Sequence, residues 1–290
     1  MPKLAEALTK DFIGKLESFS IHMDSLLMNG YSGARKSKAK GMSLEFSDFR
    51  PYVLGDDIRR IDWNSYGRFD KLFIKLFMEE KQGAVNIFLD SSASMKAGEP
   101  EKLFYSKQLA ASISYIALRN MDVVNLFGFS DTITQEKKNI QTKNLFPDLV
   151  EFLDELPVNK ESRLVNSIDK MKHTPMAKGI SFIISDFFSE DGYEEAIKLL
   201  QYKRQQIVLI HVLSPEEINP TIRGNFRLVD SESGKAKDIE LTQEKINNYK
   251  KALENFKNQL QSFCTKRGQQ YIMLSTDLPI LLGLENCLRR

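Results

Sequence analysis

The segment FLDSSASMKAG, Phe88 to Gly98, places one carboxylate and three hydroxyls within the five residues from Asp90 to Ser94. It follows Val85 to Ile87, part of a short apolar stretch that predicts a buried strand. Two interpretations are open. Aspartate and serine side chains cap helices by accepting hydrogen bonds from the free N–H groups of the first turn. The same oxygens could instead bind Mg²⁺ or a similar hard cation, which prefers oxygen ligands and takes only one or two protein carboxylates.

A second carboxylate occurs at an equivalent place in the chain. Asp186 comes directly after ISFIIS, Ile180 to Ser185, which also predicts a strand. The carboxyl ends of parallel strands meet at one edge of a sheet, where ligands gather near a topological switch point. Ser162 opens a helix and reaches the same edge if the winding is regular. The candidate site therefore combines three segments and consists of Asp90, Ser92, Ser94, Ser162 and Asp186.

The elements that must position these residues alternate along the second part of the chain. Short apolar strands between amphipathic helices predict an α/β fold with a doubly wound, mostly parallel sheet. The predicted strands are Val85–Leu89, Asp122–Ser130, Ile180–Ser185, Gln206–Leu213 and Gln270–Leu274. The predicted helices are Pro100–Asn120, Lys143–Leu156, Arg163–His173, Tyr193–Lys203 and one that begins at Pro279.

Two further parts surround this core. Apolar residues at three- and four-residue steps predict an N-terminal helix that starts at Pro2, ends at Asn29-Gly30 and packs on the rest of the fold. Alternation over residues 72–79 predicts a strand in a small β elaboration. We expect residues 1–82 to pack as helix and β elaboration on an α/β domain of residues 83–290. That domain has an insertion at about 215–268.

The insertion lies between the last two predicted strands. Phe226 to Thr242 predicts a hairpin that turns at Ser233-Gly234. The long helix that follows has an apolar stripe lasting about two and a half heptads, shorter than a coiled coil needs, so we expect it to face the core.

Composition narrows the function classes. The 290 residues carry 41 Lys and Arg against 39 Asp and Glu, a formal net charge of +2. So small an excess gives no reason to expect nucleic acid or an anionic membrane as a partner. No apolar run approaches the roughly 20 residues of a membrane span, and the N-terminus lacks the layout of a secretion signal. The two cysteines, Cys264 and Cys287, suggest neither a metal knuckle nor a disulfide framework. We expect a cytoplasmic location.

Stretches of this sequence resemble two known protein families. The first is a motif of the type D-x-S-x-S, which follows an apolar strand at Asp90, Ser92 and Ser94. Together with the later hydroxyl of Ser162 and the strand-end Asp186, it resembles the metal-ion-dependent adhesion site of von Willebrand factor type A domains. VVNLFGFSD, Val123 to Asp131, looks like the second strand of that fold. EFSDFRPYVLGDDIRRIDW, Glu45 to Trp63, with Arg68 and residues 72–74, resembles the bacterial family known as domain of unknown function 58. RLVDSESG, Arg227 to Gly234, matches a hairpin inserted in that family, and the resemblance covers nearly the whole chain.

The family resemblance implies a von Willebrand factor A-like domain in a non-catalytic adaptor that works with a MoxR-type AAA+ ATPase. It also implies a site for Mg²⁺ or Mn²⁺, with Ser92 and Ser94 as direct ligands and Asp90 and Asp186 holding water ligands. Some family members carry transmembrane helices near the N-terminus, whereas this sequence predicts none.

One departure from the type A pattern affects the metal. The third ligand there is threonine, and Ser162 keeps the hydroxyl without the methyl group that restricts its rotamers. Arg163 places a cation where an acidic residue often stands. A degenerate site is therefore the alternative, in which Asp90 and Asp186 cap helices or pair with Arg163.

Other polar groups have simpler interpretations. The mixed charges of the upstream segment could form a functional surface, but they favour an ion-paired scaffold with Trp63 in the core beside it; they are Asp56, Asp57, Asp62, Arg59, Arg60 and Arg68. The basic run from Arg35 to Lys40 could meet an acidic partner, although a short charge run is typical of a solvated loop. His211, within the apolar stretch Ile207 to Leu213, predicts a buried and hydrogen-bonded side chain.

The leading functional hypothesis is a protein-interaction module without catalysis, which presents the strand-end edge to a protein partner. An incompletely coordinated cation at that edge would accept a carboxylate from the partner. The alternative is a metal-assisted phosphohydrolase with Asp90 as the nucleophile, since aspartyl-phosphate chemistry uses strand-end carboxylates. Against it, Ser92 replaces the usual second carboxylate, and no glycine-rich phosphate loop is present in the sequence.

Overall fold

The computed structural model describes residues 3–27, 45–78, 83–159, 161–221, 224–229 and 236–288. These residues fall into two compact units. One unit comprises residues 1–23 and 83–290, and the other comprises residues 24–82.

The helices and strands follow the predicted alternation in the larger unit. The α-helices are α1 Leu4–Ala7, α2 Lys10–Leu27, α3 Trp63–Phe69, α4 Lys102–Arg119, α5 Phe146–Asp154, α6 Leu164–Asp169, α7 Glu194–Tyr202, α8 Pro215–Ile218, α9 Gln243–Thr265 and α10 Ile280–Leu288. The strands are β1 Glu45–Pro51, β2 Phe73–Met78, β3 Ala84–Asp90, β4 Val123–Phe129, β5 Ile133–Ile140, β6 Gly179–Ser185, β7 Gln205–Leu213, β8 Gly224–Val229, β9 Ala236–Leu241 and β10 Gln270–Ser275. Short 3₁₀ helices cover Ile58–Arg60, Ala93–Lys96 and Lys143–Leu145.

A mixed, mostly parallel sheet of six strands forms the centre of the larger unit, in the order β10-β7-β6-β3-β4-β5. The chain leaves β3 toward β4 on one side and leaves β6 toward β7 on the other. The topological switch point therefore lies between β3 and β6. Leu89 pairs with Ile184 in this parallel register, so the next residues, Asp90 and Ser185, end side by side.

Both faces of the sheet are covered by helices, which explains why the central strands are apolar throughout. Ile87 and Leu89 face the cluster that contains residues of α4, α5 and α10. Phe88 faces the opposite cluster, with residues of α6, α7 and α9, and its ring stacks on Phe127 at a centroid distance of 4.8 Å. Successive strand residues point to opposite faces, so each strand contributes to both cores.

The edge strand β5 was not predicted. It pairs antiparallel with β4, and the register shifts twice along the pair. Its outer residues include Glu136, Lys137 and Lys138, so the strand lacks the apolar pattern that identified the others.

The N-terminal helix and the insertion match their predictions in part. The helix is broken at Leu8 and Thr9 into α1 and α2, whereas one continuous helix was predicted. Leu4 and Leu16 are fully buried in the first core cluster, which confirms the packing of this segment. The predicted start at Pro2 and the predicted stop at Asn29-Gly30 lie outside the described residues.

The insertion forms the antiparallel pair β8–β9 followed by α9. The apolar stripe of α9 joins the second core cluster through Leu260 and Cys264, as predicted. The predicted turn at Ser233-Gly234 lies outside the described residues.

The described part of the smaller unit contains the antiparallel pair β1–β2, the 3₁₀ helix Ile58–Arg60 and α3. The prediction that Trp63 lies in a core is wrong, because its side chain is 63% exposed. Trp63 begins α3 directly after the capping residue Asp62, and its ring meets Tyr66 edge to face on the helix surface.

Two ion pairs join charged side chains in the described part of this unit. Arg50 donates to Asp56 at 2.8 Å, and Arg59 donates to Asp57 at 3.2 Å. Asp62 is buried and accepts a hydrogen bond from Ser65. These contacts confirm the predicted scaffold for Asp56, Asp57, Asp62 and Arg59. The basic run from Arg35 to Lys40 lies outside the described residues.

Candidate functional site

Asp90 is the centre of a polar cluster at the carboxyl ends of β3 and β6, and it is fully buried. The Ser92 N–H donates to Asp90 Oδ1 at 2.9 Å. The hydroxyls of Ser162 and Ser185 both donate to Asp90 Oδ2, at 3.0 Å and 2.6 Å. Three separate segments therefore converge on one carboxylate.

We call this cluster the strand-end rim. It consists of Asp90, Ser92, Ser94, Ser162, Ser185 and Asp186. All five predicted site residues lie in it. Ser185 was not predicted, although its position as the last residue of the strand that precedes Asp186 could have identified it.

Burial, followed by the charge of Asp186, raises the pKa of Asp90 to about 6. Hydrogen bonds from Ser185 and Ser92 oppose this shift by stabilising the charged form. The ionised Asp90 carboxylate is therefore costly in this environment. A positive charge close to it would offset that cost.

The Oγ atoms of Ser92 and Ser94 lie 3.1 Å apart. Adjacent ligands of an octahedral Mg²⁺ at about 2.1 Å from the metal are separated by about 3 Å, so this spacing suits two such ligands. Ser92 is buried and Ser94 is half-buried, so the pair is reached through Ser94. The described residues contain no group of three or more His, Cys, Asp or Glu side chains placed to hold a metal. A site built on serine hydroxyls and two carboxylates needs no such group. The Ser92–Ser94 pair thus offers two oxygen donors of the type that Mg²⁺ or Mn²⁺ prefers, and in this structure the two hydroxyls are hydrogen-bonded to each other.

Ser162 is held in place by the neighbouring loops. The Arg163 N–H donates to the Ser130 carbonyl at 2.8 Å, just beyond the end of β4. Ser189 donates its hydroxyl to the Ser162 carbonyl at 2.9 Å and accepts the Leu164 N–H at 3.0 Å. These bonds bring a loop residue to the sheet edge, as the regular winding predicted.

Arg163 does not neutralise either rim aspartate. Its guanidinium pairs with Glu161 at 3.1 Å and with Glu190 at 3.3 Å, and its side chain is 44% exposed. The helix-capping alternative is wrong for both aspartates. Asp90 accepts from Ser92 N–H and Asp186 accepts from Phe188 N–H at 3.2 Å. Ser92 itself is the cap residue of the 3₁₀ helix that follows, and Phe188 lies in a loop, so both contacts are local turns.

The cation that neutralises Asp186 is Lys102, the first residue of α4. Its Nζ donates to Asp186 Oδ2 at 2.9 Å and to Glu217 Oε1 at 2.6 Å. The side chain of Lys102 is 1% exposed, that of Asp186 is fully buried, and that of Glu217 is 24% exposed. Burial alone would lower the pKa of Lys102, but Asp186 and Glu217 together raise the pKa above its ordinary value. Lys102 is therefore a charged group inside the protein.

Sequence reasoning missed both Lys102 and Glu217. A lysine at the start of a helix usually extends into solvent, and nothing near Lys102 in the sequence indicates that its partners lie 84 and 115 residues further along the chain.

Glu217 links the rim to the insertion. Its Oε2 accepts the Ser214 N–H at 2.8 Å, while the Ser214 hydroxyl accepts the Glu217 N–H, which completes a capping box at α8. The Tyr249 hydroxyl of α9 donates to the Glu217 carbonyl at 2.9 Å. Tyr249 is 40% exposed, and Phe188, which follows Asp186 by two residues, is 44% exposed.

His211 lies beside Ser185 in the β6–β7 register and is buried, as predicted. Its Nδ1 is hydrogen-bonded to the Tyr271 hydroxyl at 2.8 Å. Burial is the main reason that the pKa of His211 is lowered to about 4, which keeps the ring neutral near pH 7.

None of the helices in the described part of the chain has the length and apolarity needed to cross a bilayer.

Comparison with known proteins identifies relatives over most of the chain. Uncharacterized proteins of Mycobacterium tuberculosis and Mycobacterium bovis are 23% identical over 246 residues, which is 83% of this chain and 74% of each relative. Among solved structures, the conserved hypothetical protein BatB of Bacteroides thetaiotaomicron is 17% identical with a TM-score of 0.42, over 67% of this chain and 90% of that chain. An aerotolerance-related membrane protein of Bacteroides fragilis is 16% identical with a TM-score of 0.44, over 71% and 98%. The family described as protein of unknown function DUF58 matches residues 48–259, and the chain belongs to this family.

Proposed function

We propose that the protein is a non-catalytic interaction module of the von Willebrand factor A type, which binds a protein partner at the strand-end rim with the help of Mg²⁺ or Mn²⁺. The observation that carries the proposal is the Ser92–Ser94 pair of hydroxyls, 3.1 Å apart, in which Ser94 is half-buried and Ser92 is bonded through its N–H to the buried Asp90. Ser92, Ser94 and Ser162 would hold the cation directly, and Asp90 and Asp186 would hold it through water. The bound cation would supply a positive centre for a partner carboxylate.

The surroundings of the rim suit a protein partner. Phe188 and Tyr249 expose aromatic surface close to buried charged groups. Phe188 stacks on Phe256 at a centroid distance of 5.5 Å, which holds its ring in a fixed orientation. Protein interfaces favour such half-exposed aromatic anchors near their centres. The family resemblance favours a MoxR-type AAA+ ATPase as the partner.

The same geometry disfavours a phosphohydrolase. An aspartate nucleophile must present a free oxygen to phosphorus. Both oxygens of Asp90 accept hydrogen bonds from the protein, and the carboxylate is fully buried. The arrangement therefore supports ligand binding at the rim more than nucleophilic attack by Asp90.

The test is a pull-down of a purified MoxR-type ATPase at 1 mM Mg²⁺ or at excess EDTA, with the wild type and with Ser94→Ala and Asp186→Ala. We expect capture with Mg²⁺ and its loss with EDTA or with either variant. Ser181→Ala is the matched control, since Ser181 is a buried serine near the other end of β6, bonded to Gln205. Capture that persists in EDTA and in both rim variants would refute the role of the rim.

A further inference from the structure

Lys102 occupies an unusual place for a lysine. It begins an 18-residue helix, where the helix dipole disfavours a positive charge. Its ammonium group is also buried, which costs free energy unless carboxylates compensate for the lost water. Replacement of the lysine and both of its partners by apolar side chains would avoid this cost. The position is therefore explained by the two carboxylates that the ammonium contacts.

The two carboxylates differ in their environment. Asp186 is fully buried in the rim, and its Oδ2 is 2.9 Å from Lys102 Nζ. Glu217 is 24% exposed and lies at the start of α8, outside the rim. The ammonium group of Lys102 thus contacts both Asp186, which a metal ion in the rim would use, and Glu217, which such a metal ion would not use.

We propose that Lys102 sets the affinity of the rim for divalent cations by competing for the Asp186 carboxylate. Lys102 holds Asp186 in the metal-free protein. It gives up Asp186 and keeps its contact with Glu217 when Asp186 serves the cation. This inference rests on the proposed function, because it concerns the metal of the same rim.

The charges of the rim explain why such a competitor is useful. Asp186 is close enough for its charge to disfavour ionisation of Asp90. With Lys102 in place, Asp186 is neutralised without metal, so the protein folds and keeps the rim shaped in its absence. The binding of a cation then has to exceed the Lys102 contact, which makes the interaction weak and reversible.

The first experiment measures Mn²⁺ binding by electron paramagnetic resonance in the wild type, Lys102→Met and Glu217→Gln. Removal of a unit charge next to the site should tighten Mn²⁺ binding in Lys102→Met by about tenfold or more. Glu217→Gln removes the second partner of the ammonium, so Lys102 stays on Asp186 and Mn²⁺ binding should weaken by about threefold or more. Lys107→Met is the matched control and should leave the affinity unchanged. Lys107 is a buried lysine of the same helix, bonded to the Asp154 carbonyl.

The second experiment does not require Lys102→Met to fold. In wild-type protein with ¹⁵N-labelled lysine, addition of Mg²⁺ should shift the Nζ signal of Lys102, assigned with Lys102→Arg, and leave that of Lys107 in place. A Lys102 signal that stays unshifted at saturating Mg²⁺ would overturn the inference, as would a folded Lys102→Met that binds Mn²⁺ no more tightly than the wild type.

The outcomes separate this inference from the proposed function. If Mn²⁺ binds but Lys102→Met leaves its affinity unchanged, only the inference about Lys102 fails. If Lys102 controls Mn²⁺ affinity but the ATPase is captured independently of the rim, only the proposed function fails. Absence of Mn²⁺ binding in every variant overturns both.

Discussion

Lys102 Nζ lies 2.9 Å from Asp186 Oδ2 across 84 residues of sequence, and both side chains are almost completely shielded from water. Removal of one member of a buried pair leaves the other charged and unpaired, which is costly. The pair therefore couples the stability of the fold to the charge of the rim.

We expect Lys102→Met to lower the free energy of unfolding by about 3 kcal/mol in EDTA, because Asp186 loses its counter-charge. Asp186→Asn in the same chain should recover part of this loss. Urea-induced unfolding of the two single variants and the double variant gives the coupling energy between the residues.

Lys107→Met provides the comparison for this loss. Lys107 donates to one backbone carbonyl, that of Asp154, so its removal should cost about 1 kcal/mol. Equal losses of unfolding free energy in Lys102→Met and Lys107→Met would contradict the expected stabilisation by the Lys102–Asp186 pair.

Asp90 gives the protein a stability that depends on pH. Because its pKa is raised to about 6 in the folded state, folding takes up a proton between the ordinary value near pH 4 and about pH 6. The Asp90 contribution thus increases stability as the pH falls through this window. Relative to the wild type, Asp90→Asn should remove a gain of about 2 kcal/mol between pH 7 and pH 4.5. Urea unfolding in EDTA at these two pH values checks the difference, and parallel pH profiles would contradict it.

His211 acts in the opposite direction over an overlapping range. Its pKa is lowered to about 4, so the folded protein binds fewer protons than the unfolded chain between about pH 4 and pH 6.5. The stability from neutral His211 is present above pH 6.5 and is lost as the pH falls through 4. His211→Gln keeps a polar partner for Tyr271 and does not titrate. We expect this variant, unlike Asp90→Asn, to gain stability relative to the wild type on acidification, as measured by thermal unfolding from pH 7 to pH 4.5.

Gly179 begins β6 at a point where no side chain fits. A Cβ built there would lie 1.9 Å from the Ala84 carbonyl oxygen of β3. We expect Gly179→Ala to destabilise the protein by about 1–3 kcal/mol through overpacking.

Gly14 of α2 is the control for this substitution, since a Cβ there meets no atom within 4 Å. Gly14→Ala should stabilise the protein by about 0.5–1 kcal/mol through improved helix propensity. Denaturant midpoints compare the two variants, and a neutral Gly179→Ala would contradict the close approach of β3 and β6.

The parts of the site that sequence predicted are those fixed by regular winding. Asp90 and Asp186 each follow an apolar strand, and adjacent parallel strands bring their ends together. Ser162 could be predicted because it lies just before a helix that starts at the same edge, although the helix begins at Leu164 and Ser162 itself is in the preceding loop. In each case, a local pattern determined the position, and the topology determined the contact.

The parts that sequence did not predict depend on distant partners or lack a local pattern. Lys102 can be buried only because the fold places the carboxylates of Asp186 and Glu217 against its ammonium group. The charged residues of β5 do not form an apolar strand pattern, because its conformation depends on pairing with β4. Trp63 shows the reverse case, because a large apolar side chain suggested burial and the position at the start of α3 leaves it exposed.

The edge strand β5 also affects how copies of the protein meet. An open sheet edge invites another chain to add a strand, and lysines together with irregular register are the usual protection against this. Lys137 and Lys138 lie on that edge, where the pairing with β4 is irregular. These features disfavour aggregation through the β5 edge. They also disfavour binding of a partner strand to the main chain of β5, so a partner at this edge would be bound by side chains instead.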